Sequence, residues 1–167
     1  IRTAVARWFL TPPPPRIAVL AAGVPGEDEL LQVNQSLYQD VKASLSKFRE
    51  LRVTSDIAVR TLMLKSDFES DPAKILEALD VDYLLLGTAR RANGQAHFSA
   101  ELLDRDLTVQ FAATWQEGDT SLLAMKGHLV SEVVKGLDIA YAPAVYRQAT
   151  GRGTDNEEAY QQYLVGL

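Results

Sequence analysis

Apolar residues along this chain recur with two different periods, and the changes of period mark out the elements. Arg16 to Ala22, RIAVLAA, is almost wholly apolar and partly β-branched, the composition of a buried central strand. Gly23, Pro25 and Gly26 interrupt it, and Glu27, Asp28 and Glu29 then set negative charge where a helix N-terminus favours it. Leu30, Val33, Leu37, Val41, Leu45 and Phe48 follow at three- and four-residue steps, which predicts one amphipathic helix reaching about Phe48. LRVTS at 51–55 reads as a second short strand. Residues 56–70 hold no decisive period and fit a helical turn followed by a loop. Asp71 before Pro72 is an N-cap carboxylate with proline at the first helical position, and Ile75, Leu76 and Leu79 give that helix its apolar face.

From Asp82 onward the period falls to two. Asn93-Gly94, flanked by alternating apolar residues, predicts a two-residue hairpin turn. Phe98, Ala100 and Leu102 then lie on one side of a strand, with His97, Ser99 and Glu101 on the other. Asp104 to Asp106 make a second turn, and Val109, Phe111, Ala113 and Trp115 alternate through a third strand, giving an antiparallel meander with one wet face. Leu122, Met125, Leu129, Val133 and Leu137, with Leu123, Val130 and Val134 beside them, predict a closing amphipathic helix. The expected fold is therefore two-layer α/β: strand, helix, strand, helix, then the meander and closing helix, with a mixed sheet of about five strands.

Both ends of the sequence read differently from this middle. Ile1, Val5, Trp8 and Phe9 share one helical face, and Pro12 to Pro15 force an extended spacer behind them. Residues 1–10 fit either a frayed end or a segment that docks on a neighbouring domain or a second copy. After Pro143, TGRGTDNEEAYQQYLVGL offers a flexible stretch and the start of a further helix. The expected organisation is an N-terminal segment and linker at 1–15, an α/β domain at 16–142, and a linker with a new helix at 143–167. The expectation that follows is of one module within a longer protein.

Composition narrows the functional classes. With 47% hydrophobic and 23% charged residues the chain can build a globular core. A net charge of -5 argues against nucleic acid as a partner of this segment, since such binders concentrate basic charge on one face. The absence of cysteine removes disulfides, thiolate chemistry and cysteine-held metals. No apolar run approaches the roughly 20 residues that span a bilayer, so any membrane tether or export signal would lie upstream of Ile1.

The candidate chemistry is sparse. His97 and His128 are the two histidines, and neither has a second histidine or a carboxylate at metal-ligand spacing, so each reads as a solvated or locally bonded ring. His128 retains a pH-sensing role as the sharper alternative. The serines lack a nucleophile-elbow setting, and AAGVPGEDE lacks the lysine and hydroxyl residue of a phosphate loop. Asp104-Arg105-Asp106 reads as a solvated turn, since Arg105 opposes a cation. No cofactor and no catalytic or metal-ligating residue is expected. Arg90 and Arg91 are a basic doublet whose members face opposite sides of a strand. Arg91 is either an ordinary charged hairpin end or a contact for an anion or partner.

Several phrases resemble the TolB amino-terminal-like domain. RIAVLAA is similar to that family's IAVLPF opening. LDVDYLLLGTARRANGQAHFSAELLDRDLTVQFAATW resembles its GVDYVLEGSVRR, GDRVRITAQLIDA and LWAERY stretch, and TDNEEAYQQYLVGL resembles its exit into tetratricopeptide repeats. The resemblance covers roughly residues 16–167. It departs at Ala21-Ala22, where the family has Pro-Phe, and at Asp104 to Asp106, where it has a Thr-Gly turn. The resemblance implies a non-catalytic sensory or protein-interaction module, periplasmic and part of an inner-membrane signalling protein, with an effector domain upstream such as a CadC-like DNA-binding domain or a cyclase. An envelope assembly or scaffolding domain is the alternative, and a cytoplasmic location is the alternative placement. It further implies that Tyr160 and Tyr163 belong to the first half of a repeat awaiting its partner helix. Trp8, Phe9, Arg91, Tyr160 and Tyr163 are accordingly the expected partner contacts, for a protein partner or self-association.

Overall fold

The computed structural model describes residues 13–23, 26–63 and 71–137. Trp8, Phe9, Tyr160 and Tyr163, the helical face expected near the N-terminus and the helix expected near the C-terminus lie outside the described residues.

The apolar run at 16–22 forms β1 (Arg16–Gly23), which pairs in parallel with β3 (Tyr83–Ala92) from Ile17↔Tyr83 through Gly23↔Ala89. On its other side β1 meets β2 (Arg52–Val53), also in parallel. β4 (Gln95–Asp104) and β5 (Val109–Gln116) complete the sheet as antiparallel neighbours, giving the order β2-β1-β3-β4-β5. The expected mixed five-stranded sheet and meander are what forms. Asn93 and Gly94 both take positive φ (54 and 77), as the tight turn between β3 and β4 requires.

Among the described residues four helices pack on this sheet. α1 (Asp28–Leu45) ends three residues short of the expected Phe48. Ser46 and Lys47 form a turn there, and Phe48 is still swallowed by the core, with its N–H donating to Leu45 O at 3.1 Å. α2 (Asp56–Met63) occupies the stretch whose sequence pattern was undecided; the Ser55 hydroxyl starts it by accepting from Ala58 N–H at 3.2 Å. α3 (Pro72–Leu79) begins as the Asp71-Pro72 pair predicts, with the Asp71 carboxylate accepting from Ala73 N–H at 3.0 Å. α4 (Leu122–Gly136) is capped by Ser121, whose hydroxyl accepts from Ala124 N–H at 3.0 Å.

The period-two pattern sorts the strand residues onto two faces. Ile17, Val19, Leu85, Ala89, Phe98, Ala100 and Leu102 join Leu37, Val41 and Leu45 of α1 and Met125, Leu129 and Val133 of α4 in the main core. Ala18, Leu20 and Leu84 face the other way and meet Val59 and Leu62 of α2 and Ile75 and Leu76 of α3. That second cover stops at β3. Among the described residues no helix packs over Thr88, Ser99, Ala112 and Thr114, which is the wet face expected for the meander.

α1 sits unusually close to the sheet. A side chain at Gly87 would overlap the ring of Tyr38, so the bare backbone of β3 is what lets that ring lie against it. One turn earlier, Asn34 is fully buried and its amide nitrogen donates to Ala22 O at 2.9 Å and Gly87 O at 3.4 Å, tying α1 across both parallel strands. On the flank of α1, Asp40 and Lys126 of α4 form a buried ion pair at 3.4 Å, with side chains 1% and 0% exposed.

Two stability measurements check this arrangement. Gly87→Ala is expected to lower unfolding stability by about 1–3 kcal/mol through overpacking, and adding Tyr38→Leu should restore most of it. Lys126→Met removes the cation of this buried pair and is expected to cost about 3–5 kcal/mol, whereas Asp40→Leu together with Lys126→Met should recover much of the loss. Urea unfolding of the four chains reads both effects, and a Lys126→Met loss no larger than a surface substitution would refute the second.

Candidate interaction surface

β2 is too short to cover β1. Arg52 N–H donates to Pro15 O and Thr54 N–H to Ile17 O, each at 2.9 Å, and the chain then turns into α2 at Asp56. From Ala18 to Gly23, β1 has a ladder partner in β3 but none in β2. α1 and α2 stand on either side of this stretch and leave a cleft of about 650 Å³ with Val19, Leu20 and Ala21 at its base.

The walls of the cleft are polar. Gln35 and Gln39 line it from α1, and Arg60 from α2. Lys42 Nζ donates to Asp56 Oδ1 at 2.6 Å, and Gln39 Nε2 donates to the same oxygen at 3.3 Å, bracing α2 against α1. The hydrogen bond from Lys42 holds the Asp56 carboxyl below its ordinary value; the charges of Lys42 and Arg60 act in the same direction. Tyr38 closes the inner end, and burial pushes its phenol well above the usual range.

Arg91 lies apart from this cleft. Its guanidinium is within 3.6 Å of Glu27 at the start of α1 and 3.9 Å of Glu117 beyond β5. Glu117 also accepts from Ala96 N–H at 3.0 Å, so Arg91 helps fasten the hairpin end to its surroundings while remaining partly exposed. His128 packs its ring against Phe111 (centroids 5.6 Å apart) and Trp115 (5.8 Å), and its Nε2 lies 3.9 Å from Glu132, a carboxylate one helical turn on that corrects the expectation of none at such spacing. Asp104 turns its carboxylate inward, accepting from the N–H groups of Asp106 and Thr108 at 2.9 Å, and Arg105 reaches across to Asp80 and Asp82. Among the described residues no cluster of three or more histidine, aspartate or glutamate side chains is placed to hold a metal ion. The cleft residues Gln35, Gln39, Asp56 and Arg60 carry no motif that sequence reading could have singled out. The one available signal was the brevity of the apolar run at 51–55.

No family model and no curated protein matches the sequence. Solved structures do match by shape. TolB from Acinetobacter baumannii superposes with a TM-score of 0.50 over 74% of this chain, at 13% identity. The fold is TolB-like. The chain spans 28% of the length of that TolB chain, so the likeness concerns one part of it. Weaker likenesses are to lipoprotein GNA1162 from Neisseria meningitidis (TM-score 0.47, 19% identity, 77% of this chain and 100% of that one). PelC from Paraburkholderia phytofirmans, solved as a dodecamer, gives a TM-score of 0.42 at 15% identity over 77% of this chain and 89% of that one.

The brace across the cleft makes a pH prediction. Because the folded pKa of Asp56 lies below its unfolded value of about 3.8, its contribution to stability is present above that value. It is lost as pH falls through the folded value. The carboxylate is 44% exposed, and solvent screening keeps the contribution under about 1 kcal/mol. Asp56→Asn should therefore show a shallower fall in thermal midpoint between pH 5 and pH 2, measured by circular dichroism, with the two chains converging at the acid end.

Proposed function

We propose that this chain is a non-catalytic protein-interaction module of a bacterial envelope protein, working outside the cytoplasm. The observation that carries the reading is the cleft beside the half-paired β1. Its base is a strand edge and its walls are amides and one braced ion pair, which suits recognition of another polypeptide. The TolB-like fold is compatible with this role, although fold alone does not set function.

In its finer form the proposal makes the module the extracytoplasmic sensory part of a membrane-anchored regulator. Pro12 to Pro15 would serve as a semi-rigid spacer from a tether upstream of Ile1, and the effector domain would lie across the membrane. Trp8 and Phe9 would contribute to self-association, and Tyr160 and Tyr163 to a helical repeat. Arg91, fastened between two carboxylates but still accessible, would be a peripheral contact of the same module.

A topology assay tests this. Alkaline phosphatase fused after Leu167 in the native gene context should be active in cells. A silent phosphatase fusion paired with an active cytoplasmic reporter would overturn the envelope placement. An active fusion released from membranes by removal of a lipidated N-terminus would replace the regulator with an envelope scaffold.

A further inference from the structure

We infer that the unpaired half of β1 is a strand-addition site, which takes an extended, carboxylate-bearing segment of a partner protein between α1 and α2. This rests on the protein-interaction reading above and names the chemistry of the contact.

The backbone argument comes first. Pro15 and Ile17 offer their carbonyl oxygens to β2, and strand alternation makes Val19 and Ala21 offer their N–H and C=O groups to the same edge. Ala18 to Gly23 rises by about 3.3 Å per residue, roughly 20 Å in all, which is the length of an ordinary strand. Because helices flank this edge, it lies at the base of a cleft. A single extended chain fits there, whereas the edge of a second intact sheet would meet α1 and α2 first. The occupant is therefore a lone strand and not the sheet of another copy.

Charge then selects its side chains. Lys42 and Arg60 face one carboxylate, Asp56, and Lys42 is already bonded to it. Arg60 is exposed and in no ion pair among the described residues, so the cleft carries one unmatched positive charge that a strand with Asp or Glu would neutralise.

The probe is an N-acetylated, C-amidated hexapeptide, Thr-Val-Glu-Val-Thr-Val, titrated into the isotope-labelled 167-residue chain. The Val19 and Ala21 amide signals are expected to shift and to exchange with solvent more slowly when peptide is bound. A version with lysine for glutamate should bind about tenfold more weakly, the scale of one charge-assisted contact, and Arg60→Glu should reverse that preference. Ala21→Pro removes one edge donor and should abolish the response; if that chain fails to fold, the Arg60→Glu reversal still decides. Unchanged Val19 and Ala21 signals at millimolar peptide would overturn the site. So would equal binding of a peptide with proline at its centre, or shifts confined to Ala112 and Thr114 on β5. Protection of Val19 and Ala21 in the free chain, lost on deleting residues 1–12 or 138–167, would show the cleft filled from within and would also overturn it. A photo-crosslinking residue at Gln39, compared with one at Arg105 on the β4–β5 turn, separates this site from the broader reading. Protein adducts at Arg105 alone overturn the strand site and leave the interaction module standing, whereas adducts at neither position in cells sink both.

Discussion

The seat of α1 over Gly87 is the constraint on which the remaining contacts depend. A helix whose ring lies against bare backbone approaches closely enough for Asn34 to reach the carbonyls of Ala22 and Gly87 in two different strands. That places the amide at the point where the strand order turns back from β1 to β3, the position at which parallel α/β sheets usually leave a ligand crevice. Here Asn34, itself buried, occupies that point. Among the described residues a cleft also opens at the flank of β1, with a strand edge at its base.

The cleft follows from where β2 stops. A parallel strand continuing past Thr54 would have capped β1 through Gly23, but Ser55 and Asp56 start a helix and lift the chain off the sheet. α2 is then held by Lys42 and Gln39 from α1 and by Val59 and Leu62 against the second core. Ala18 and Leu20 are thereby buried, while among the described residues the main chain of the same strand keeps one edge without a ladder partner. Such an edge is an association hazard unless it is recessed or charged, and this one is both.

The sequence made the element types legible wherever the period was long or the turn chemistry strong. Leu30 to Leu45 could only be a helix facing one side, and Asn93-Gly94 fixed the hairpin and with it the register of β3 on β4. α2 was not legible because eight residues give barely two turns of pattern. The half-open state of β1 was hidden for a different reason. RIAVLAA reports that both faces are covered, which α1 and α2 supply, and is silent on whether the hydrogen-bonding edges are paired. Lys126 and Asp40 were hidden by their own chemistry, since a charge on an amphipathic helix reads as solvent-facing until its partner is located. Arg91 stood out as half of a doublet, but its carboxylates Glu27 and Glu117 come from distant parts of the chain and only the fold assembles them.

The buried Asp40–Lys126 pair also constrains how the domain is made. Its two members come from α1 and α4, the first and last helices among the described residues. The ammonium group of Lys126 offsets part of the cost of burying the Asp40 carboxylate, so the seat of α1 is coupled to that of α4. These two helices are therefore linked by charge as well as by apolar packing, and the order of one depends on the other.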